Sequence, residues 1–136
     1  MVAHFKVVPV GIVRKNESSV WIEIEDRYRD ALYGLDGFSH IDIVYWFHQN
    51  DIPEKRSILK VHPRHDPNNP ETGVFGTHAP VRPNPIGITR CRILKIDGPV
   101  IFIDDIDAFD GSPVIDIKCY LPPKKPVTDI RLPDWA

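Results

Sequence analysis

The segment GTHAPVRPNPIG, residues 76 to 87, holds an arginine, an asparagine and three prolines within a short polar stretch. Pro80, Pro83 and Pro85 fix their own φ angles and keep the preceding residues out of the helical region, so the segment is rigid and extended. In an extended chain Arg82 and Asn84 point to one side, where a guanidinium and an amide face a common partner. The alternative left open is a rigid connector whose arginine pairs with a surface acid.

A second candidate region is the aspartate-rich segment IDDIDAFDGSPVIDIKCY, residues 103 to 120. Asp110 and Gly111 form a turn signal, with Asp107 before the turn and Asp116 after it. Carboxylates placed in this way can accept hydrogen bonds from ribose hydroxyls or face a cation. They also commonly cap turns without contacting any ligand, and both interpretations stay open at this point.

The segment GLDGFSHIDIVYWFHQND, residues 34 to 51, predicts a tight turn followed by an apolar strand. The strand ends in the polar pair His48 and Gln49. Polar groups at the end of such a strand are candidates for a site at the rim of a barrel. Ordinary strand termination explains them equally well.

A metal site is the fourth possibility, because four potential ligands lie close in the sequence: His62, His65, Asp66 and His78. The H-x-x-H spacing does not place both imidazoles on one face of a strand, and the flanking prolines exclude a regular helix. We therefore predict no metal. The sequence also lacks a dinucleotide-binding glycine motif, a Walker loop, a zinc-protease motif and a nucleophile elbow, which disfavours the usual dinucleotide and phosphoryl-transfer folds.

Short runs rich in valine, isoleucine and aromatic residues predict the elements that hold these groups. The predicted strands are 5–13, 20–24, 40–47, 57–61, 88–96, 100–103 and 114–120. One short helix is predicted over Arg27 to Leu35, where the apolar residues fall on one face. We expect a mostly β, single-domain closed β-barrel covering residues 1–136, because closure removes unpaired strand edges. An extended tail is predicted from about residue 121, where prolines become frequent.

Composition limits the function classes further. The chain of 136 residues with a formal net charge of −2 has no general attraction to nucleic acid or to an anionic membrane. Residues 54 to 95 are nevertheless locally basic, with eight Lys/Arg against three acids. Two cysteines form no disulfide-rich pattern, and neither a secretory signal nor a membrane span is expected, which predicts a cytoplasmic protein.

Three blocks in this order, GLDGFSHIDIVYWFHQ, GVFGTHAPVRPNPIGIT and DAFDGSPVIDIKCYLP, resemble the TsaA-like (TrmO) family of β-barrel tRNA methyltransferases. The resemblance covers residues 7 to 123. It implies a barrel that binds S-adenosylmethionine, commonly as a homodimer. It also implies methyl transfer to the exocyclic amine of a threonylcarbamoyl-modified adenosine beside the tRNA anticodon, with the basic middle third facing the RNA.

The matching motif positions imply ten cofactor-binding residues: His48, Gln49, Thr77, His78, Pro85, Ile88, Asp107, Ala108, Phe109 and Asp110. We expect Arg82 and Asn84 to be catalytic, with the guanidinium holding an anion and the amide orienting the target amine.

The chain departs from the family pattern at two places. A family arginine is replaced by His78 and a family aromatic by Val81, and a P-R-Q loop after the first strand is replaced by KNESS, residues 15 to 19. These departures keep two alternatives open beside the enzyme. One is a sensor that binds S-adenosylmethionine without catalysis, and the other is a metal-dependent hydrolase that uses His62, His65 and His78.

Overall fold

The computed structural model describes residues 2–136, which form two compact units. The first unit contains residues 2–48 and 86–120, and the second contains residues 49–85 and 121–136. Within the described part of the chain, no helix has the length and apolar character needed to cross a membrane.

Eight strands lie within the described residues. They are β1 (Gly11–Lys15), β2 (Val20–Ile24), β3 (His40–Trp46), β4 (Lys60–Val61), β5 (Thr72–Gly73), β6 (Ile86–Asp97), β7 (Val100–Ile103) and β8 (Pro113–Cys119). The first unit holds six of them, all paired antiparallel in the order β1-β2-β7-β6-β3-β8. Strand β8 also pairs with β1, so the order is cyclic. The mostly β prediction is confirmed, and the cyclic pairing agrees with the predicted barrel.

Alternating side chains of these strands form the core of the first unit. The fully buried set is aliphatic apart from one thiol: Val13, Ile22, Ile41, Ile43, Cys91, Ile101 and Val114. Each buried isoleucine contributes about 2–3 kcal/mol relative to an exposed one. The period of two in the sequence therefore places on one face the apolar side chains whose burial stabilises this sheet.

Two strand predictions are correct to the residue, and two are wrong over much of their length. Strands β2 and β7 have the predicted bounds. The predicted strand 5–13 begins only at Gly11, and Phe5 is almost fully exposed. The predicted strand 57–61 is reduced to β4, and it is preceded by a short helix, α1 (Pro53–Arg56), that begins at a proline. The remaining strands shift by one or two residues at an end.

The predicted helix over Arg27 to Leu35 is wrong in type. Two 3-10 segments replace it, Asp26–Leu32 and Leu35–Gly37. Gly34 separates them with a φ of +83°, a left-handed conformation that ends a helix. The apolar spacing identified the packed face but could not distinguish the tighter 3-10 turn from an α-helix.

The second unit contains few regular elements. Strands β4 and β5 pair antiparallel, and 3-10 turns occupy Pro63–His65 and Val74–Gly76. Residues 121–136 contain no helix or strand among those described.

The two cysteines differ in accessibility, which gives a first prediction. Cys91 is fully buried and Cys119 is partly exposed. Burial first, then the negative charge of Asp104, raises the pKa of the Cys91 thiol to about 12. We expect a thiol reagent at neutral pH to label Cys119 in the native protein and both thiols only after unfolding, as read by mass spectrometry. Rapid labelling of Cys91 in the native state would contradict its burial.

The raised pKa also implies a pH dependence of stability. Above the ordinary thiol pKa near 9.0, the unfolded chain loses the Cys91 proton more readily than the native protein. The stabilisation from the buried neutral thiol is therefore complete below that pH and is lost as the pH rises towards about 12.

Candidate functional site

The two units divide the twelve predicted site residues equally. The first unit holds His48, Ile88, Asp107, Ala108, Phe109 and Asp110. The second holds Gln49, Thr77, His78, Arg82, Asn84 and Pro85.

The predicted turn at Asp110 and Gly111 is present and is fastened to strand β1. One carboxylate oxygen of Asp110 accepts a hydrogen bond from the backbone N–H of Lys15 at 2.9 Å. Gly111 has a φ of +86°, and its N–H donates to the carbonyl oxygen of Val13 at 2.8 Å. Non-glycine residues rarely adopt this φ, so the backbone conformation favours glycine at this position. Asp110 therefore fastens the turn to strand β1 through this oxygen.

The residues before this turn alternate in exposure. Ala108 is buried, whereas Asp107 and Phe109 are exposed. The carboxylate of Asp107 is thus available to accept hydrogen bonds from a ligand. Asp116 is held locally, since it accepts from its neighbour's N–H and lies 3.5 Å from the Lys118 ammonium.

At the end of strand β3, two aromatic rings pack on a glycine of the P-I-G motif. Tyr45 and Phe47 meet edge to face, 5.4 Å between ring centroids. A Cβ atom on Gly87 would lie 2.7 Å from atoms of both rings, so only glycine fits there. The exposed His48 follows directly and starts a 3-10 turn, His48–Asn50. This packing fixes the backbone that leads into the predicted polar pair.

The Tyr45 hydroxyl is the buried titratable group at this end of the sheet. It lies 3.3 Å from the Thr89 hydroxyl, which donates to it. Burial is the main cause that raises the pKa of Tyr45, and the negative charge of Asp107 raises it further. The phenol therefore stays neutral at physiological pH and can donate a hydrogen bond.

Ile88 lies on the opposite, outer face of strand β6. It is 66% exposed and pairs across the sheet with Val44. Its neighbours two residues away along β6, Ile86 and Arg90, are also exposed. An exposed isoleucine in this position is available for an apolar contact with a ligand or another chain.

In the second unit, the predicted catalytic arginine bonds to its own loop. One terminal nitrogen of Arg82 donates to the carbonyl oxygens of Ala79 at 3.0 Å and Thr77 at 3.2 Å. The buried Thr77 hydroxyl donates to the Val74 carbonyl and accepts from the Ala79 N–H. The connector alternative expected Arg82 to pair with a surface acid. None of the ion pairs among the described residues involves Arg82.

Arg56 is the residue in this region that the sequence did not reveal. Its guanidinium donates to the Pro83 carbonyl at 2.8 Å, to a carboxylate oxygen of Asp51 at 2.9 Å, and to the Asn84 side-chain oxygen at 3.2 Å. Asn84 is exposed, and this bond orients its amide. Arg82 and Asn84 thus have different partners. No sequence motif pointed to Arg56, and the short helix α1 in which it lies was not predicted.

Thr77 and His78 line a cavity of about 780 Å³ within the second unit. Its walls come from three stretches, residues 61–65, 75–81 and the tail residues Leu132, Pro133, Trp135 and Ala136. His62 and His65 also line it. Among the described residues, no group of three or more His, Cys, Asp or Glu is arranged to hold a metal ion.

The connection between β1 and β2 is a tight turn, as the KNESS segment predicted. The Asn16 side-chain oxygen accepts hydrogen bonds from the N–H groups of Ser18 at 2.9 Å and Ser19 at 2.8 Å. The Asn16 N–H donates to the Ser19 carbonyl at 3.0 Å. A turn closed in this way has no room for an additional ligand-binding loop.

Residues 4–124 match the family model of the tRNA-methyltransferase O N-terminal domain. The chain belongs to this family. Two archaeal relatives are named as probable S-adenosyl-L-methionine-binding proteins. The one from Pyrococcus horikoshii is 51% identical, covering 85% of this chain and 82% of the relative. The one from Methanocaldococcus jannaschii is 50% identical, covering 82% of this chain and 89% of the relative.

Two further similar proteins are longer than this chain. A mouse protein named tRNA (adenine(37)-N6)-methyltransferase is 41% identical over 67% of this chain but only 20% of its own length. The crystal structure of TrmO from Pseudomonas aeruginosa superposes with a TM-score of 0.74 at 28% identity. That comparison covers 99% of this chain, which spans 63% of the TrmO chain.

Proposed function

We propose that this protein is an S-adenosylmethionine-dependent methyltransferase that acts on the exocyclic amine of an adenosine in tRNA. The observation that carries the proposal is the family match over residues 4–124. It is supported by relatives of about half identity that are named for binding S-adenosylmethionine. A relative named for adenine-N6 methylation of tRNA supports the reaction.

The exposed donors and acceptors fit such a cofactor. Asp107 offers a free carboxylate for ribose hydroxyls, and His48 and Phe109 are exposed for polar and apolar contacts. We assign His48, Gln49, Thr77, His78, Pro85, Ile88 and residues 107–110 to cofactor binding. Ala108 is buried, so in this assignment its backbone rather than its side chain contributes.

When bound, S-adenosylmethionine supplies an electrophilic methyl group, so the protein needs neither a metal nor a covalent nucleophile. Its task is to align donor and acceptor and to exclude water. In our proposal the Asn84 amide orients the adenine amine, and Arg82 holds the loop while a remaining N–H group faces an anion. An amine that gains a methyl group must lose a proton, which an oxygen acceptor of the site takes up.

We further propose a threonylcarbamoyl-modified adenosine beside the anticodon as the target, a homodimer as the working form and the cytoplasm as the location. The family resemblance motivates the target, and the exposed Ile88 and Ile86 offer an apolar face for a second copy. We treat residues 1–136 as a single functional domain, since the family match crosses both compact units.

A sensor that binds S-adenosylmethionine without catalysis is the second candidate. It is favoured by the names of the relatives that match most of their length, which state binding rather than methylation. The capped turn at residues 16–19 and His78 at a family arginine position point the same way.

Calorimetry with S-adenosylmethionine and transfer of a radiolabelled methyl group to total tRNA separate these candidates. We expect binding, and transfer that falls at least about a hundredfold in Asn84→Ala. Asn68→Ala is the matched control, because it removes the same amide group from an exposed position of the same unit. Binding without transfer supports the sensor, and no binding at millimolar ligand removes both. Hydrolytic activity that a chelator abolishes would instead favour the metal-dependent hydrolase.

A further inference from the structure

The cavity of the second unit is lined by Thr77 and His78 of the proposed cofactor set, and its other lining residues have no assigned role. Two aromatic side chains line it, Phe75 and Trp135, and Phe75 is 84% exposed. Apart from Thr77, the polar lining residues are basic or carry an imidazole: His62, Arg64, His65 and His78. None of the lining residues that the structure describes is an aspartate or glutamate.

This combination selects a ligand class. Aromatic faces stack on nucleobases, and arginine and imidazole N–H groups donate to phosphate oxygens. The volume of about 780 Å³ lies in the range of pockets that enclose a ligand of nucleotide size.

The wall that carries Arg64 is fixed before any ligand arrives. Arg64 and His65 have φ angles of 61° and 57°, in the left-handed region that costs non-glycine residues energy. Hydrogen bonds around them hold this conformation. The Asn69 side chain donates to the Pro63 carbonyl at 2.8 Å, and the Asp66 N–H donates to the same carbonyl at 3.2 Å. A prearranged wall lowers the ordering cost of binding.

Another part of the cavity wall comes from the tail. Leu132, Pro133, Trp135 and Ala136 lie beyond the family match, which ends at residue 124. The tail therefore adds an aromatic group that the family domain itself does not encode. We propose that this cavity binds an unstacked nucleotide of the RNA substrate, its base on Phe75 or Trp135 and its phosphate on Arg64. This inference rests on the proposed tRNA substrate.

The test compares single-stranded oligoadenylate RNA, adenosine 5′-monophosphate and S-adenosylmethionine as ligands of the full chain. We expect Phe75→Ala and Trp135→Ala each to weaken oligoadenylate binding roughly tenfold, measured by fluorescence anisotropy. Arg64→Gln should reduce the slope of log affinity against log salt by about one. S-adenosylmethionine affinity should stay unchanged in all three variants.

Two substitutions serve as matched controls. Tyr33→Ala removes an aromatic ring that is almost fully exposed and lies in the first unit, and Arg131→Gln neutralises an exposed tail arginine that does not line the cavity. Neither should change RNA affinity by more than about twofold.

Several outcomes would overturn the inference. They are RNA binding that Phe75→Ala and Trp135→Ala leave unchanged, a loss of S-adenosylmethionine affinity in the same variants, or binding of the free monophosphate without binding of the oligomer. Methyl transfer by the wild type to tRNA is measured separately. If the wild type binds RNA without transferring a methyl group, and Phe75→Ala weakens that RNA binding, the proposed function is refuted and the inference is supported.

Discussion

Replacing Gly87 by alanine is expected to lower the free energy of unfolding by about 2–3 kcal/mol, since overpacking a filled core site typically costs this much. The added Cβ would lie 2.7 Å from the Tyr45 and Phe47 rings, well inside normal contact. Tyr45 is buried, so its ring cannot rotate away into solvent. Alanine has less backbone entropy to lose on folding than glycine, which offsets only about 0.5–1 kcal/mol of this cost. Thermal unfolding should show a Tm lower by roughly 10 °C.

Gly37→Ala is the control for this substitution. It lies in the same unit, and its added Cβ would meet no atom within 4 Å. Its stability should change by less than about 0.5 kcal/mol. Equal stability of Gly87→Ala and the wild type would show that the rings do not pack as described. We also expect weaker S-adenosylmethionine binding in Gly87→Ala, because the displaced Phe47 precedes His48.

Gly87 also shows what the sequence could and could not predict about the fold. The period-two pattern gave strands β2 and β7 to the residue, because one face of each is buried and the other is not. It did not reveal that Gly87 is a packing position, since a glycine carries no hydrophobic signal. The same pattern failed at Phe5 to Val8, where the apolar residues are exposed. Val10, which is half-buried, bonds to Val114 of β8.

At the candidate site, the sequence predicted the local turn but not the contacts that depend on the tertiary fold. Turn chemistry identified Asp110 and Gly111 correctly, because the requirement for a positive φ is local. The role of Asn84 could not be derived locally, since its hydrogen-bond partner is distant in the sequence. Arg56 lies 28 positions from Asn84, and the cavity combines residues 61–65 with the tail. Such contacts follow from the tertiary fold and leave no spacing pattern.

Arg56→Met is expected to reduce kcat for methyl transfer about ten- to a hundredfold while leaving the KM for S-adenosylmethionine within about threefold, since small misplacements at a reacting centre have effects of this size. The side chain is a positioning residue in our proposal. Its loss removes the donors that hold the Pro83 carbonyl and orient the Asn84 amide. Methionine keeps much of the apolar stem but offers no N–H group. Steady-state kinetics with tRNA and the labelled methyl donor measure both constants.

A merely structural role for Arg56 would give a different result. In that case the loss of the Asp51 ion pair would lower Tm, and kcat measured well below Tm would stay near the wild-type value. Arg56→Lys separates the two roles further, because lysine keeps the charge beside Asp51 but cannot present the planar set of donors that reaches Pro83 and Asn84 together. We expect Arg56→Lys to recover Tm but not kcat. Full recovery of kcat would show that charge alone, and not the orientation of Asn84, is what this position supplies.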